Sequence, residues 1–67
     1  MEILLNNNLK EVPDTCTIQD VLNTFFGSEQ TGIAVAINET VTPKAHWGSH
    51  FIQPKEHITV ITATQGG

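Results

Sequence analysis

The chain has 67 residues and a net charge of -4, from three lysines against seven acidic residues. A domain of this size buries only about 60% of its unfolded surface, which leaves no room for a catalytic cleft backed by a second domain. The acidic balance argues against a nucleic-acid partner, which demands a basic face.

The first element runs from Met1 to Leu5, with Met1, Ile3 and Leu5 on one face at period two. Asn6-Asn7-Asn8 follows, and asparagine tolerates the positive φ of tight hairpin turns. Leu9 to Val12 resumes an extended segment closed by Pro13-Asp14. The pair reads as a β-hairpin.

Thr17 opens the next element as an N-cap, answered by Asp20 three residues later in a capping-box pattern. Ile18, Val21, Leu22 and Phe25 then share one helical face, and Gly27 ends the helix. The run Ile33-Ala34-Val35-Ala36-Ile37 is a strand whose bulky Ile33, Val35 and Ile37 pack under that helix. Its Ala34 and Ala36 leave the opposite face flat. Asn38-Glu39 makes a turn, Thr40 to Thr42 a short strand, and Lys44 to His50 a turn or short helical piece carrying Trp47. A last strand, His57 to Thr62, puts Ile58 and Val60 on one face and Ile61 on the other. Residues 63-67 continue no pattern and are expected to project as a flexible tail.

Strand, strand, helix, strand, short strand, strand gives an α+β sandwich of two layers in one domain spanning 1-67. With one cysteine no internal disulfide forms. The apolar run Ile33 to Ile37 is too short to span a bilayer, and no secretory or transit pattern is present. The expected protein is cytoplasmic and makes no membrane contact.

Few residues inside this fold invite chemistry. His46 and His50 stand four apart with His57 beyond them, but a zinc site needs three or four ordered ligands, and no metal site is expected. Cys16 precedes the helix, yet lacks a Cys-x-x-Cys or Cys-His arrangement and reads as a small hydrophobe. Trp47 is expected to close one end of the core rather than anchor a partner. Ala34, Ala36 and Ile61 form a candidate docking face on the side of the sheet away from the helix. The closing pair Gly66-Gly67 stands apart. At a glycine frequency of roughly 7%, two in succession arise by chance about 0.5% of the time. Two glycines make a narrow backbone segment with an unhindered terminal carboxylate, suited to threading into another protein's active site.

Taken together these residues resemble the ThiS family of sulfur carriers. The resemblance rests on Ile3-Leu4 with Asn6, Thr17-Ile18 with Leu22, and Gly32 through Asn38. It continues through Val41, Pro43-Lys44, Trp47 and Ile58 to Gly66-Gly67. It covers essentially the whole chain, with Lys55-Glu56 where the family often has Gly-Asp and Lys44 where arginine is common. It implies a ubiquitin-like β-grasp, a mixed sheet packed on one main helix.

The family role it implies is that of a protein co-substrate, not an enzyme. The Gly67 carboxylate would be adenylated by a ThiF-type adenylyltransferase, with Gly66 letting the tail thread. A sulfur donor such as a cysteine desulfurase would convert the adenylate to a thiocarboxylate. Thiazole synthase (ThiG) would then take the sulfur for thiamine biosynthesis. ATP and magnesium would belong to the activating enzyme, and this chain would bind no cofactor. A molybdopterin-type carrier, a ubiquitin-like modifier or interaction module, and a small thiol- or metal-dependent enzyme stay open as alternatives on the residues alone.

Overall fold

Period-two burial organises the chain into one sheet. In a computed structural model, which describes residues 1-27 and 32-62, the strands are β1 (Glu2–Leu5), β2 (Asn8–Glu11), β3 (Ile33–Ile37), β4 (Thr40–Thr42) and β5 (His57–Thr62). Among the described residues one helix, α1 (Ile18–Phe25), and a single 3-10 turn (Lys44–His46) complete the elements. The strand order is β2-β1-β5-β3-β4. Only β1 and β5 run parallel; the other neighbours are antiparallel. This is the mixed sheet on one helix that the sequence implies. The expected tail, residues 63-67, lies outside the described residues.

Ile3 and Leu5 of β1, Val35 and Ile37 of β3, and Ile58 and Val60 of β5 point inward and are buried. They meet Ile18, Val21 and Leu22 of α1, with Val12, Cys16, Trp47 and Ile52 closing the same core. Ile33 is partly buried at its margin. Trp47 is 3% exposed and its indole N–H donates to the Thr42 carbonyl at 3.0 Å, so it is a core residue whose polar atom is satisfied. Phe25 departs from expectation. It is the last residue of α1 and is 36% exposed, with the Lys10 ammonium 5.6 Å from its ring centre.

The N-terminal turn of α1 leaves none of its first amides free. Asp20 N–H donates to the Thr17 hydroxyl, the Asp20 carboxylate accepts from Thr17 N–H, and Val21 N–H donates to the Thr17 carbonyl. Ile18 N–H donates to the His50 carbonyl and Gln19 N–H to the Trp47 carbonyl. The segment after β4 thus caps the helix from outside, satisfying donors that a helix cannot pair internally.

Two asparagines fix the central strand. Asn6 and Asn7 have φ of 51° and 68°, and Asn38 and Glu39 have φ of 49° and 72°. Positive φ at both central positions marks the two-residue hairpin turns that match strand twist. Where β1 turns away, the Asn6 Oδ1 accepts from Val60 N–H at 2.8 Å. Where β3 ends, the Asn38 Oδ1 accepts from His57 N–H at 3.1 Å. Each amide would otherwise lose its strand partner. Lys55, at φ 64°, follows Pro54 in a turn closed by Glu56 N–H on the Gln53 carbonyl. Proline followed by a positive-φ residue is the signature of a type II turn, which favours glycine at the second place.

Asn6→Ala should leave Val60 N–H unpaired and lower stability by about 1–2 kcal/mol, a drop in Tm of roughly 5–15 °C for a domain this small. Asn6→Asp, which keeps an acceptor oxygen, should lose less; thermal denaturation of the two variants checks this. Lys55→Gly should act in the opposite sense. Relief of the left-handed backbone, offset by glycine's greater unfolded-state entropy, predicts a gain of about 0.5–1 kcal/mol in urea denaturation.

Candidate docking face and carrier terminus

Alternation along the strands places a second set of side chains on the sheet face away from α1. Ala34 stands directly across from Ile61, and Ala36 is flanked by Thr59 on β5 and Val41 on β4. Ala34 is exposed, Ala36 half-buried and Ile61 57% exposed. The structure therefore brings together the three residues expected to form a docking face.

It also enlarges that face. Val41 is 70% exposed on the strand beside Ala36, and Leu9 is 64% exposed across from Leu4. Thr59 and His57 lie between these two apolar groups along β5. Val41 and Leu9 were findable from sequence only once the pairing register was known, because each sits alone among polar neighbours in its strand. At one corner Glu2 faces Glu11, which gives the patch an acidic rim. An exposed apolar surface rimmed by charge has the make-up of a protein-binding site.

The face lies beside the point where the chain leaves the described residues. Ile61 is the second-last residue of β5, whose end at Thr62 precedes residues 63-67. Gly66 and Gly67, the sequence-predicted threading and sulfur-carrying positions, lie outside the described residues.

The remaining candidates do not assemble into a reactive centre. The Cys16 thiol is 2% exposed, and burial, followed by the nearby Asp20 charge, pushes its pKa up, away from the thiolate needed for nucleophilic chemistry. It borders a groove on the helix side lined by Glu11, Pro13, Asp20 and Thr24. His50 Nε2 lies 3.6 Å from Glu56 Oε1, and that oxygen also accepts from Gln53 N–H at 2.9 Å. Among the described residues no cluster of three or more metal-ligating side chains occurs. No helix among them is long and apolar enough to cross a membrane.

A cluster of opposite charges stands at the amino terminus. The Met1 ammonium donates to the Val12 carbonyl and to Asp14 at 3.0 Å, and pairs with Glu11 at 3.2 Å. The hydrogen bonds that it donates to Asp14 and then to Glu11 raise its pKa above the ordinary 8.0.

Comparison with known proteins places this arrangement. The ThiS family model matches residues 3–67. The sulfur carrier protein ThiS of Escherichia coli K12 is 28% identical over 67 residues, covering all of both chains. The crystal structure of the thiamine biosynthesis protein ThiS from Geobacter metallireducens superposes with a TM-score of 0.86. That match covers all of both chains at 13% identity, and so bears on the fold alone.

The amino-terminal pairing predicts a pH dependence. The folded state holds the ammonium proton more tightly than the unfolded chain does, so its contribution is fully present below 8.0 and is lost as pH rises through the raised value. Cys16 acts in the same sense, because the folded state also retains the thiol proton. The urea midpoint should therefore fall between about pH 7 and about pH 10; a flat or rising midpoint would contradict the assignment.

Proposed function

The chain belongs to the ThiS family, and from that premise we propose that it is a sulfur carrier protein whose Gly67 carboxylate is activated and loaded with sulfur. The observation that carries this reading is the end-to-end match to a sulfur carrier, which takes in the final Gly66-Gly67. A member of this family is a protein substrate for other enzymes and not itself a catalyst.

The chemistry follows from what a carboxylate lacks. It resists nucleophiles until one oxygen becomes part of a good leaving group. In the proposed sequence a Gly67 carboxylate oxygen attacks the α-phosphate of ATP in a ThiF-type adenylyltransferase. An acyl-adenylate forms and pyrophosphate departs, with magnesium held by that enzyme. A sulfur nucleophile, such as the persulfide of a cysteine desulfurase, then attacks the acyl carbon and expels AMP. Reductive cleavage of the resulting acyl disulfide by a thiol leaves the thiocarboxylate. Thiazole synthase takes the sulfur from there in thiamine biosynthesis.

This chain's own residues supply placement. Gly66 and Gly67 carry no side chains to obstruct a narrow channel. The apolar face of Ala34, Ala36, Val41 and Ile61 is the proposed recognition surface, rigid because its strands also carry the core on their other side. Recognition and reaction are thereby separated: the sheet docks, and the terminus reacts.

Deleting Gly67 should reduce ATP-dependent pyrophosphate release with a ThiF-type enzyme to background. Tm should be nearly unchanged, because the deletion removes a single glycine that has no side chain to bury. Release at the full-length rate from the truncated chain would overturn the role given to Gly67.

A further inference from the structure

The last strand has an open edge in the middle of the sheet. Asn6 N–H donates to the Ile58 carbonyl, and Val60 N–H donates to the Asn6 side chain, so the even-numbered residues of β5 turn their main-chain groups toward β1. The pairing with β3 agrees. Asn38 exchanges hydrogen bonds with His57, so Thr59 and Ile61 bond to β3, while Val60 and Thr62 face the other way. On that side β1 has already turned back at Asn6-Asn7. The Val60 carbonyl and both the N–H and the carbonyl of Thr62 therefore face a space that no strand among the described residues fills.

This edge differs from the two outer ones. Strand edges are usually blunted by charge, shortness or proline. β2 carries Lys10 and Glu11, and β4 has only three residues and stops before Pro43. Val60, Ile61 and Thr62 carry no charge, and the neighbouring turn is the neutral Asn6-Asn7-Asn8. Ile61 beside them belongs to the apolar docking face.

We propose that this edge is a strand-addition site, at which an extended segment of the adenylating enzyme pairs with the Val60 and Thr62 main chain as the carrier docks. The inference rests on the sulfur-carrier reading for the identity of the partner. Three main-chain groups at strand spacing fit an extended peptide backbone, which offers N–H and C=O alternately at the same repeat. The added strand lies next to the end of β5 and guides the direction in which the following residues run. Its outward side chains continue the apolar face from Ile61.

The test uses the full chain with Thr62→Pro, which deletes the N–H at the open edge and no bond of the β3 ladder. Proline is tolerated in such edge positions. A second version replaces the Ile61–Thr62 amide by an ester, removing the same N–H without a ring. Calorimetric titration into a ThiF-type enzyme should show affinity weakened at least about fivefold for both, the loss of a net hydrogen bond. Tm should stay close to that of the unaltered chain, and should Thr62→Pro not fold, the ester carries the same expectation. Unchanged affinity for the ester form would overturn strand addition, as would binding that responds to Ile61→Asp alone. If the altered chains still release pyrophosphate in those cases, the sulfur-carrier reading stands without the edge. Neither binding nor adenylation of the unaltered chain would remove both.

Discussion

The interaction on which the rest of the structure depends is the seating of β5 between β1 and β3. This strand comes last in the chain yet lies at the centre of the sheet, so both ends of the sequence must meet before the core closes. Its Ile58 and Val60 are buried against the helix side. Its main chain is held at two points by asparagine side chains, Asn38 at the exposed His57 and Asn6 at the buried Val60. A two-residue hairpin turn of this kind must start with a residue that accepts positive φ, and a buried amide of a central strand needs a partner. Asparagine meets both needs at once. The same two residues therefore end their own strands and complete the pairing of a third.

That seating also explains how a small domain serves a reaction it does not catalyse. Residues before the end of β5 are fixed by the core, and the candidate docking face is the reverse side of the same strands. A terminus that leaves from a central strand starts from a defined position and direction, which reduces the orientational search for a partner's active site. The buried Cys16 fits this arrangement, because a carrier that accepts sulfur at its carboxylate gains nothing from a competing reactive thiol.

Much of this was legible in the sequence because local signals agreed with the global fold. The Thr17–Asp20 capping box, the Ile18–Val21–Leu22 face and the alternation of Ile33 to Ile37 each predict their element, and the structure contains each of them. What was not legible depends on residues brought together from afar. Nothing near α1 shows that the carbonyls of Trp47 and His50 satisfy its first amides. Phe25 has helical spacing for the core, but it ends the helix and stays partly exposed under Lys10. Val41 and Leu9 join the docking face through register, which a single strand's pattern cannot reveal. The positive φ at Lys55 is likewise hidden, because lysine gives no local sign of it.

The central claim is that Gly67 accepts sulfur while the domain serves only to present it. Intact-mass spectrometry of the full chain tests this most directly, after incubation with ATP, magnesium, a ThiF-type enzyme, a persulfide donor and a reducing thiol. The account predicts replacement of one oxygen by sulfur, located by fragmentation to the C-terminal residue and absent when ATP is omitted. An unchanged mass, or sulfur located on Cys16, would contradict it.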